Sequence, residues 1–233
     1  MTTNFSETIA LVTGGQRGLG AAFADELLRR GARRVYVTAR NPTPTTDQRI
    51  RTIALDVTDA GQVERLPGQA PDVNLLINNA GVAFSTPLLS TPWDQITANF
   101  ETNTYGPLRV STAMAPILSK SSSSQLVNIH SALSWIAGAG AYGASKAALW
   151  SLTNQLRIEL AAQGTVVTGV HLGLMATDMA TGVPGPKLEP GMVAKRVIDG
   201  IAAGETEVLV DEFSEYAKAL LSGPVEGLAL AAP

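Results

Sequence analysis

A doubly wound α/β fold, one parallel sheet of about seven strands with helices on both faces, is predicted by three features of this 233-residue sequence. Short apolar runs recur along it, at 9–13, 35–37, 52–55, 75–78, 126–129, 165–172 and 207–210. Between most of them lie segments whose apolar residues return every three or four positions, as in helices. The runs are apolar on both alternating faces, which a strand covered by helices on each side requires.

Each element has a local reason. The strand at 9–13 ends at Gly14-Gly15, and Leu19, Phe23 and Leu27 then form the apolar stripe of a helix that Gly31 stops. Residues 41–47, rich in proline and threonine, make a loop before the strand at 52–55, and Asp59 caps the short helix after it. The strand at 75–78 stops at Asn79-Ala80-Gly81. Residues 92–118 suffice for one or two helices, with an interruption expected near Gly106-Pro107. The serines Ser121 to Ser124 mark an exposed turn before 126–129. Helix is expected over 142–162, 193–203 and 212–221, with a glycine- and proline-rich loop over 182–190. Residues 1–222 thus read as a single domain with a substrate lid at 178–190, and the tail 223–233 shows no periodicity and stays unassigned.

Composition narrows the function classes. The chain is 45% hydrophobic and 16% charged, well on the globular side. A net charge of -3 and no cluster of basic residues argue against a nucleic-acid partner. With no cysteine and two histidines, disulfides and thiolate chemistry are excluded and no metal site is expected. No apolar run approaches a membrane span, and residues 1–7 lack the pattern of a secretory signal, so the expected location is the cytoplasm.

The turn Thr13-Gly14-Gly15-Gln16-Arg17-Gly18-Leu19-Gly20 joins the first strand to the first helix, where an α/β sheet takes a dinucleotide. Glycines let the pyrophosphate approach backbone N–H groups at the positive end of that helix. The second strand ends Thr38-Ala39-Arg40, without the acid that would hold the ribose hydroxyls of NAD. Arg40 suits a 2′-phosphate instead, and Arg17 can reach the same phosphate, so NADP(H) is the expected cofactor. Further on, Tyr142 and Lys146 lie four residues apart on one helix face, where an ammonium would lower the pKa of a phenol serving as acid or base. Ser131 follows the strand 126–129 closely, with its hydroxyl suited to hold a substrate oxygen; Ser134 is the reserve.

Taken in order, the glycine turn (TGxxxGxG), Asp56-Val57, Asn78-Asn79-Ala80-Gly81, Asn103, Ser131, Tyr142-x-x-x-Lys146 (YxxxK) and Thr177 resemble the short-chain dehydrogenase/reductase family. The likeness runs from about Thr8 to at least Leu209. It implies a single Rossmann-type domain and reversible reduction of a ketone or aldehyde by NADPH, with the pro-S hydrogen transferred. It also implies roles: Tyr142 as general acid/base, Lys146 tuning it and orienting the ribose, Ser131 fixing the oxygen, and Asn103 relaying protons to the lysine through its backbone carbonyl and a water. Gly14, Gln16, Arg17, Gly18, Leu19 and Gly20 would cradle the phosphates. Asp56 would take the adenine amino group with Val57 behind the ring, and Asn79, Ala80 and Gly81 would line the ribose wall. Gly173 and Thr177 would meet the nicotinamide carboxamide. Two departures stand out: the stretch from Ser131 to Tyr142 is about two residues short for the family, and Leu172 replaces the usual proline before Gly173.

The expected pocket wall comprises Ala83, Phe84, Leu133, Trp135, Ile136, Leu174, Met175 and Met179, which suits an apolar carbonyl compound. Lys187 on the lid is the one cation there that could meet a carboxylate. A lid so short implies an open cleft and broad substrate tolerance. The histidines His130 and His171, and likewise Glu101 and Asp178, read as structural groups. Surplus apolar positions on the 144–161 helix point to a homodimer or homotetramer. Two alternatives use the same residues: an imine or polyketide-type ketone reductase, and a non-catalytic NADP(H)-binding redox sensor.

Overall fold

The structure is a computed structural model and describes residues 5–84 and 87–229. Its strands are β1 (Ile9–Val12), β2 (Arg34–Ala39), β3 (Ile50–Ala54), β4 (Leu75–Asn78), β5 (Gln125–Ile129), β6 (Val166–His171) and β7 (Glu207–Leu209). They form one sheet in the order β3-β2-β1-β4-β5-β6-β7, with every neighbouring pair parallel. The helices are α1 (Gly18–Arg29), α2 (Ala60–Gln69), α3 (Trp93–Phe100), α4 (Gly106–Leu118), α5 (Gly140–Ala161), α6 (Pro190–Ala203) and α7 (Glu212–Leu220).

Strand side chains alternate between two cores. Ala10, Val12, Val35, Val37, Leu75, Ile77, Val127 and Ile129 pack with Phe23, Leu27, Val197 and Ile198 of α1 and α6. Ile9, Leu11, Tyr36, Leu76 and Leu126 pack on the other face with Val63, Leu66, Met114 and Leu156 of α2, α4 and α5. The strand order reverses direction between β1 and β4, so a crevice opens past their carboxyl ends, where open α/β sheets bind ligands.

Boundaries shift where the pattern in the sequence was incomplete. The chain does not break at Gly106-Pro107. Residues Glu101–Tyr105 form a π-helical turn, closed by the Gly106 N–H on the Glu101 carbonyl, and helix continues into α4. Gly106 permits this because a methyl group there would come within 2.7 Å of Val57 Cγ2, so the helix lies directly on that valine. Helix α5 starts two residues before Tyr142, which seats the tyrosine in its first turn. Proline at the first position starts α6 at Pro190, not at 193.

The tail acquires structure through one contact: Val225–Leu228 make a 3-10 turn, the Ala137 N–H donates to the Leu228 carbonyl at 2.7 Å, and Ala229 bridges Ala137. Residues 230–233 of that tail, and 1–4 of the N-terminal segment read for a signal, lie outside the described residues. No helix among the described residues is long and apolar enough to cross a membrane.

Candidate active site

At the β1 end of the crevice the glycine turn is built around backbone contacts that side chains would destroy. Gly14 and Gly18 have φ of +63° and +52°, a region open to glycine at little cost. A methyl group on Gly20 would lie 2.2 Å from the Gly14 carbonyl oxygen. Arg17, the N-cap of α1, makes no side-chain capping bond, so the first-turn N–H groups stay available to an anion. This cradle fits the pyrophosphate of a dinucleotide. Thr13 ties it to β4: its hydroxyl accepts from the N–H groups of Asn79 and Ala80 at 2.9 and 3.0 Å, while Asn79 Nδ2 donates to the Thr13 and Gly14 carbonyls. The amide of Asn79 therefore acts on the turn itself.

Other expected cofactor residues divide. Arg40 is exposed at the end of β2 and has no ion pair or hydrogen bond among the described residues. Arg17 instead pairs with Asp178 at 3.0 Å, both largely exposed. Gln16 holds the loop after β2 through two bonds to Thr43. Asp56 spends one carboxylate oxygen on the N–H and hydroxyl of Thr58 and keeps the other, and Val57 is buried behind it. Gly173 gives its N–H to Asp211 Oδ2 at 3.2 Å, and a methyl group there would meet that oxygen at 2.5 Å. The absence of a side chain at Gly173 is thus already required by Asp211, which also caps α7. Thr177 stands over the start of α1, with its methyl 3.2 Å from where a Gly18 side chain would begin.

Beyond β4 the chain from Gly81 to Phe84 is held by a pair of asparagines. Asn103 accepts from the Val82 N–H and donates to the Val82 carbonyl, both at 2.9 Å, while Asn99 does the same for Phe84 at 3.3 and 3.1 Å. Four residues of helix advance about 6 Å and two residues of extended chain about 6.6 Å, so each amide meets alternate residues as a neighbouring strand would. Asn103 also donates to Ser145 Oγ of α5 at 3.0 Å. Sequence reading missed Asn99; its signal was the i,i+4 spacing to Asn103. A methyl on Gly81 would lie 3.1 Å from Asn103 Oδ1 and 3.8 Å from Lys146 Nζ, so turn, asparagine and lysine converge.

The chemical end joins β5 to α5. Ser131 Oγ accepts from the Leu133 N–H at 3.1 Å, which leaves its own proton free to donate, and its side chain acts on the Tyr142 phenol. Ser134, the reserve, is likewise buried and accepts from the Ser131 N–H in the same capping box, but it is Ser131 that acts on the Tyr142 phenol. Burial pushes the Tyr142 phenol above its usual value, and the Ser131 bond opposes this. Lys146 is buried and donates from Nζ to the Ile129 carbonyl at 2.8 Å; desolvation brings its pKa from 10.5 to about 8. The expectation that the ammonium depresses the phenol is therefore not met in this arrangement: the lysine is tied to the end of β5, and the lowering influence comes from the serine.

A profile of the short chain dehydrogenases matches residues 8–186. The chain belongs to the short-chain dehydrogenase family. Among its relatives, the 3-oxoacyl-(acyl-carrier-protein) reductase FabG of Salmonella typhimurium is 30% identical over 187 residues, covering 76% of this chain and 77% of that protein. The NADPH-dependent 1-acyldihydroxyacetone phosphate reductase of Schizosaccharomyces pombe is 30% identical over 237 residues, covering 94% and 79%. A short chain dehydrogenase from Burkholderia cenocepacia, solved in complex with NADP, superposes with a TM-score of 0.90 at 32% identity and 95% coverage of both chains.

In this short-chain dehydrogenase the pocket wall is smaller than the sequence implies. Trp135 and Ile136 are buried against Ala217 and Phe213 of α7, and the Trp135 ring stacks on His171 with centroids 3.7 Å apart. They support the serine loop from beneath and do not face a substrate. Met175 likewise packs on the α1/α6 core, beneath a bridge to Leu188. Phe84 and Met179 remain exposed, and Leu133 and Leu174 half-buried. Two backbone bonds, Ala176 N–H to the Leu188 carbonyl and Leu188 N–H to the Leu174 carbonyl, fasten the far end of the 178–190 segment.

Proposed function

We propose that this enzyme uses NADPH to reduce an apolar ketone or aldehyde reversibly, with Tyr142 as proton donor. The observation that carries the reading is buried Lys146, held on the Ile129 carbonyl at the end of β5, approaching Gly81 from the same helix as Tyr142, on whose phenol the Ser131 side chain acts. NADPH when bound supplies hydride to the carbonyl carbon. Ser131, with its proton free, holds the carbonyl oxygen. Tyr142, kept protonated at neutral pH by burial, gives that oxygen its proton. Lys146, charged below about pH 8 and held beside Gly81, would orient the ribose of the bound cofactor.

For the cofactor, the residues that would hold it are the turn Gly14 to Gly20, Asp56, Val57, Asn79 to Gly81, Lys146 and Thr177. Arg40, unpaired among the described residues, would take the 2′-phosphate. The NADP complex of the Burkholderia protein supports that choice, and the names of the two relatives, both reductases of ketone-bearing acyl compounds, support a ketone substrate.

Tyr142→Phe should abolish NADPH oxidation against a ketone panel while leaving NADPH affinity nearly intact; equal turnover in both proteins rejects the mechanism, and a redox sensor would lose nothing. As for assembly, Ile158 is the one large apolar side chain of α5 that is well exposed, at 72%. A homodimer or homotetramer through this helix follows as a proposal, which sedimentation of only monomer would remove.

A further inference from the structure

Beneath the serine runs a buried chain of polar side chains that the reaction above does not use. Asn78 Nδ2 donates to Asn128 Oδ1 at 2.9 Å, and Asn128 Nδ2 to Thr153 Oγ1 at 2.9 Å. Thr153 Oγ1 meets His130 Nε2 at 2.9 Å, His130 Nδ1 meets His171 Nε2 at 2.9 Å, and His171 Nδ1 meets the Ser131 carbonyl at 3.2 Å. All these side chains are buried.

Their proton positions follow from the far end. A carbonyl only accepts, so His171 donates from Nδ1 and its Nε2 accepts. His130 must then donate from Nδ1 and accept at Nε2. The single proton of Thr153 therefore goes to His130, although the Leu149 carbonyl lies 2.8 Å from the same hydroxyl. With both rings neutral this arrangement pairs every donor and places a proton between His171 and the Ser131 oxygen. If Thr153 turned to Leu149, each ring would reverse and the His171 lone pair would face the Ser131 oxygen. Neutrality is expected: burial first, and then His171, hold His130 well below its usual pKa, and burial outweighs the raising effect of the Ser131 bond to bring His171 to about 3, with Lys218 adding to the lowering.

We propose that Thr153, His130 and His171 are positioning residues that fix the Ser131 to Tyr142 spacing for proton transfer. The geometry behind this is a double fastening of α5, which carries the tyrosine, to β5, which leads to the serine. One fastener is Lys146 Nζ on the Ile129 carbonyl; the other, two turns along the same helix, is Thr153 on Asn128 and His130. The relay then crosses to β6 and ends on the serine's own carbonyl, whose other bond comes from the Ser134 N–H. Losing the second fastener lets helix and strand slide, and a misplacement on the order of 1 Å costs up to about a hundredfold in rate.

This inference rests on the proposed reductase reading, and its test separates the two. The chain has two histidines, so 15N-histidine labelling of the full-length protein reports both rings, with each single variant assigning one. Both should be neutral with the proton on Nδ1, unchanged from pH 6 to pH 9; an Nε2–H ring, or one that titrates in that range, overturns the relay. Thr153→Val should lower kcat about tenfold with NADPH affinity within about twofold of wild type and the His130 signature lost, and Thr153→Ser should restore both. Wild-type kcat in Thr153→Val, or equal loss in Thr153→Ser, overturns the positioning role. Should Thr153→Val fail to fold, the tautomers of the wild type and the kinetics of Thr153→Ser still decide. Wild-type turnover in Tyr142→Phe would reject the reductase mechanism instead, while the tautomers are read independently of turnover.

Discussion

Replacing Gly20 by alanine puts two opposing effects at one position. Alanine is favoured over glycine in a helix by about 1 kcal/mol, so propensity alone predicts a gain. The added methyl, however, would lie 2.2 Å from the Gly14 carbonyl oxygen and 2.7 Å from Asn79 Nδ2. The first contact is about 1 Å or more inside van der Waals distance, and it is with backbone. That backbone cannot swing aside, since Gly14 is pinned by Asn79 Nδ2 and its N–H by Thr38 Oγ1. Overpacking of this kind costs about 1–3 kcal/mol or more, enough to outweigh the propensity. A net loss of about 1–2 kcal/mol lowers Tm by roughly 2–8 °C in a chain of this size.

Gly68, exposed in α2 with nothing within 4 Å of a methyl, provides the control. There the same change should raise stability by up to about 1 kcal/mol. Thermal unfolding followed by circular dichroism reads both, and fluorescence titration should show Gly20→Ala weakening NADPH binding by about tenfold or more, because the phosphate turn must move. Wild-type Tm and NADPH affinity in Gly20→Ala would show that the turn yields freely and that its close packing is incidental.

A second expectation concerns Lys146, whose shift from 10.5 to about 8 is a penalty of about 3 kcal/mol on the buried charge. The penalty is complete below pH 8 and gone by pH 10.5, so Lys146→Met should raise the urea unfolding free energy at pH 7 by about 1–3 kcal/mol, and by little near pH 10, while removing activity; a loss of stability at pH 7 would contradict it. In the wild type, kcat/KM for carbonyl reduction should be level from pH 6 to 7 and fall above about pH 8 as the ammonium is lost; a rate that climbs through pH 9 would contradict that role. Arg40→Asp should weaken NADPH and shift preference toward NADH in paired Kd measurements, and an unchanged ratio would make the arginine a plain surface charge. Asp211→Ala should cost about 2 kcal/mol in Tm-derived stability, since it removes both the α7 cap and the acceptor for Gly173; a change under about 0.5 kcal/mol would show that neither bond matters.

The parts of the fold legible in the sequence are those fixed by short-range pattern. Strands that alternate between two cores, and the turn that needs Gly14 and Gly18, write their requirements locally. The pair Tyr142 and Lys146 was likewise carried by spacing on one helix and Ser131 by its place after a strand, whereas Asn103 was carried by the family resemblance. What stayed hidden depends on contacts between distant segments. Nothing near Trp135 signals that His171, some 36 residues on, would bury its ring. Nothing near Gly173 signals Asp211 beside it, and nothing near Arg17 signals its pairing with Asp178. The helical break expected at Gly106-Pro107 failed for a similar reason: proline weakens a helix locally, but Val57 pressing on Gly106 and a π turn absorb the misfit.

The asparagine rungs on the 82–84 chain divide the rim of the cleft into two mechanical parts. The inner rung, Asn103, is moored to α5 through Ser145, whereas Asn99 bonds only to Phe84 and to Gln95 of its own helix among the described residues. A tilt of α3 would swing the outer lip at Phe84 like a shutter while the reacting hydroxyls, anchored in the sheet and α5, held still. Surface substitutions on α3 should therefore be felt at Phe84, through Asn99, before they are felt at the inner rung.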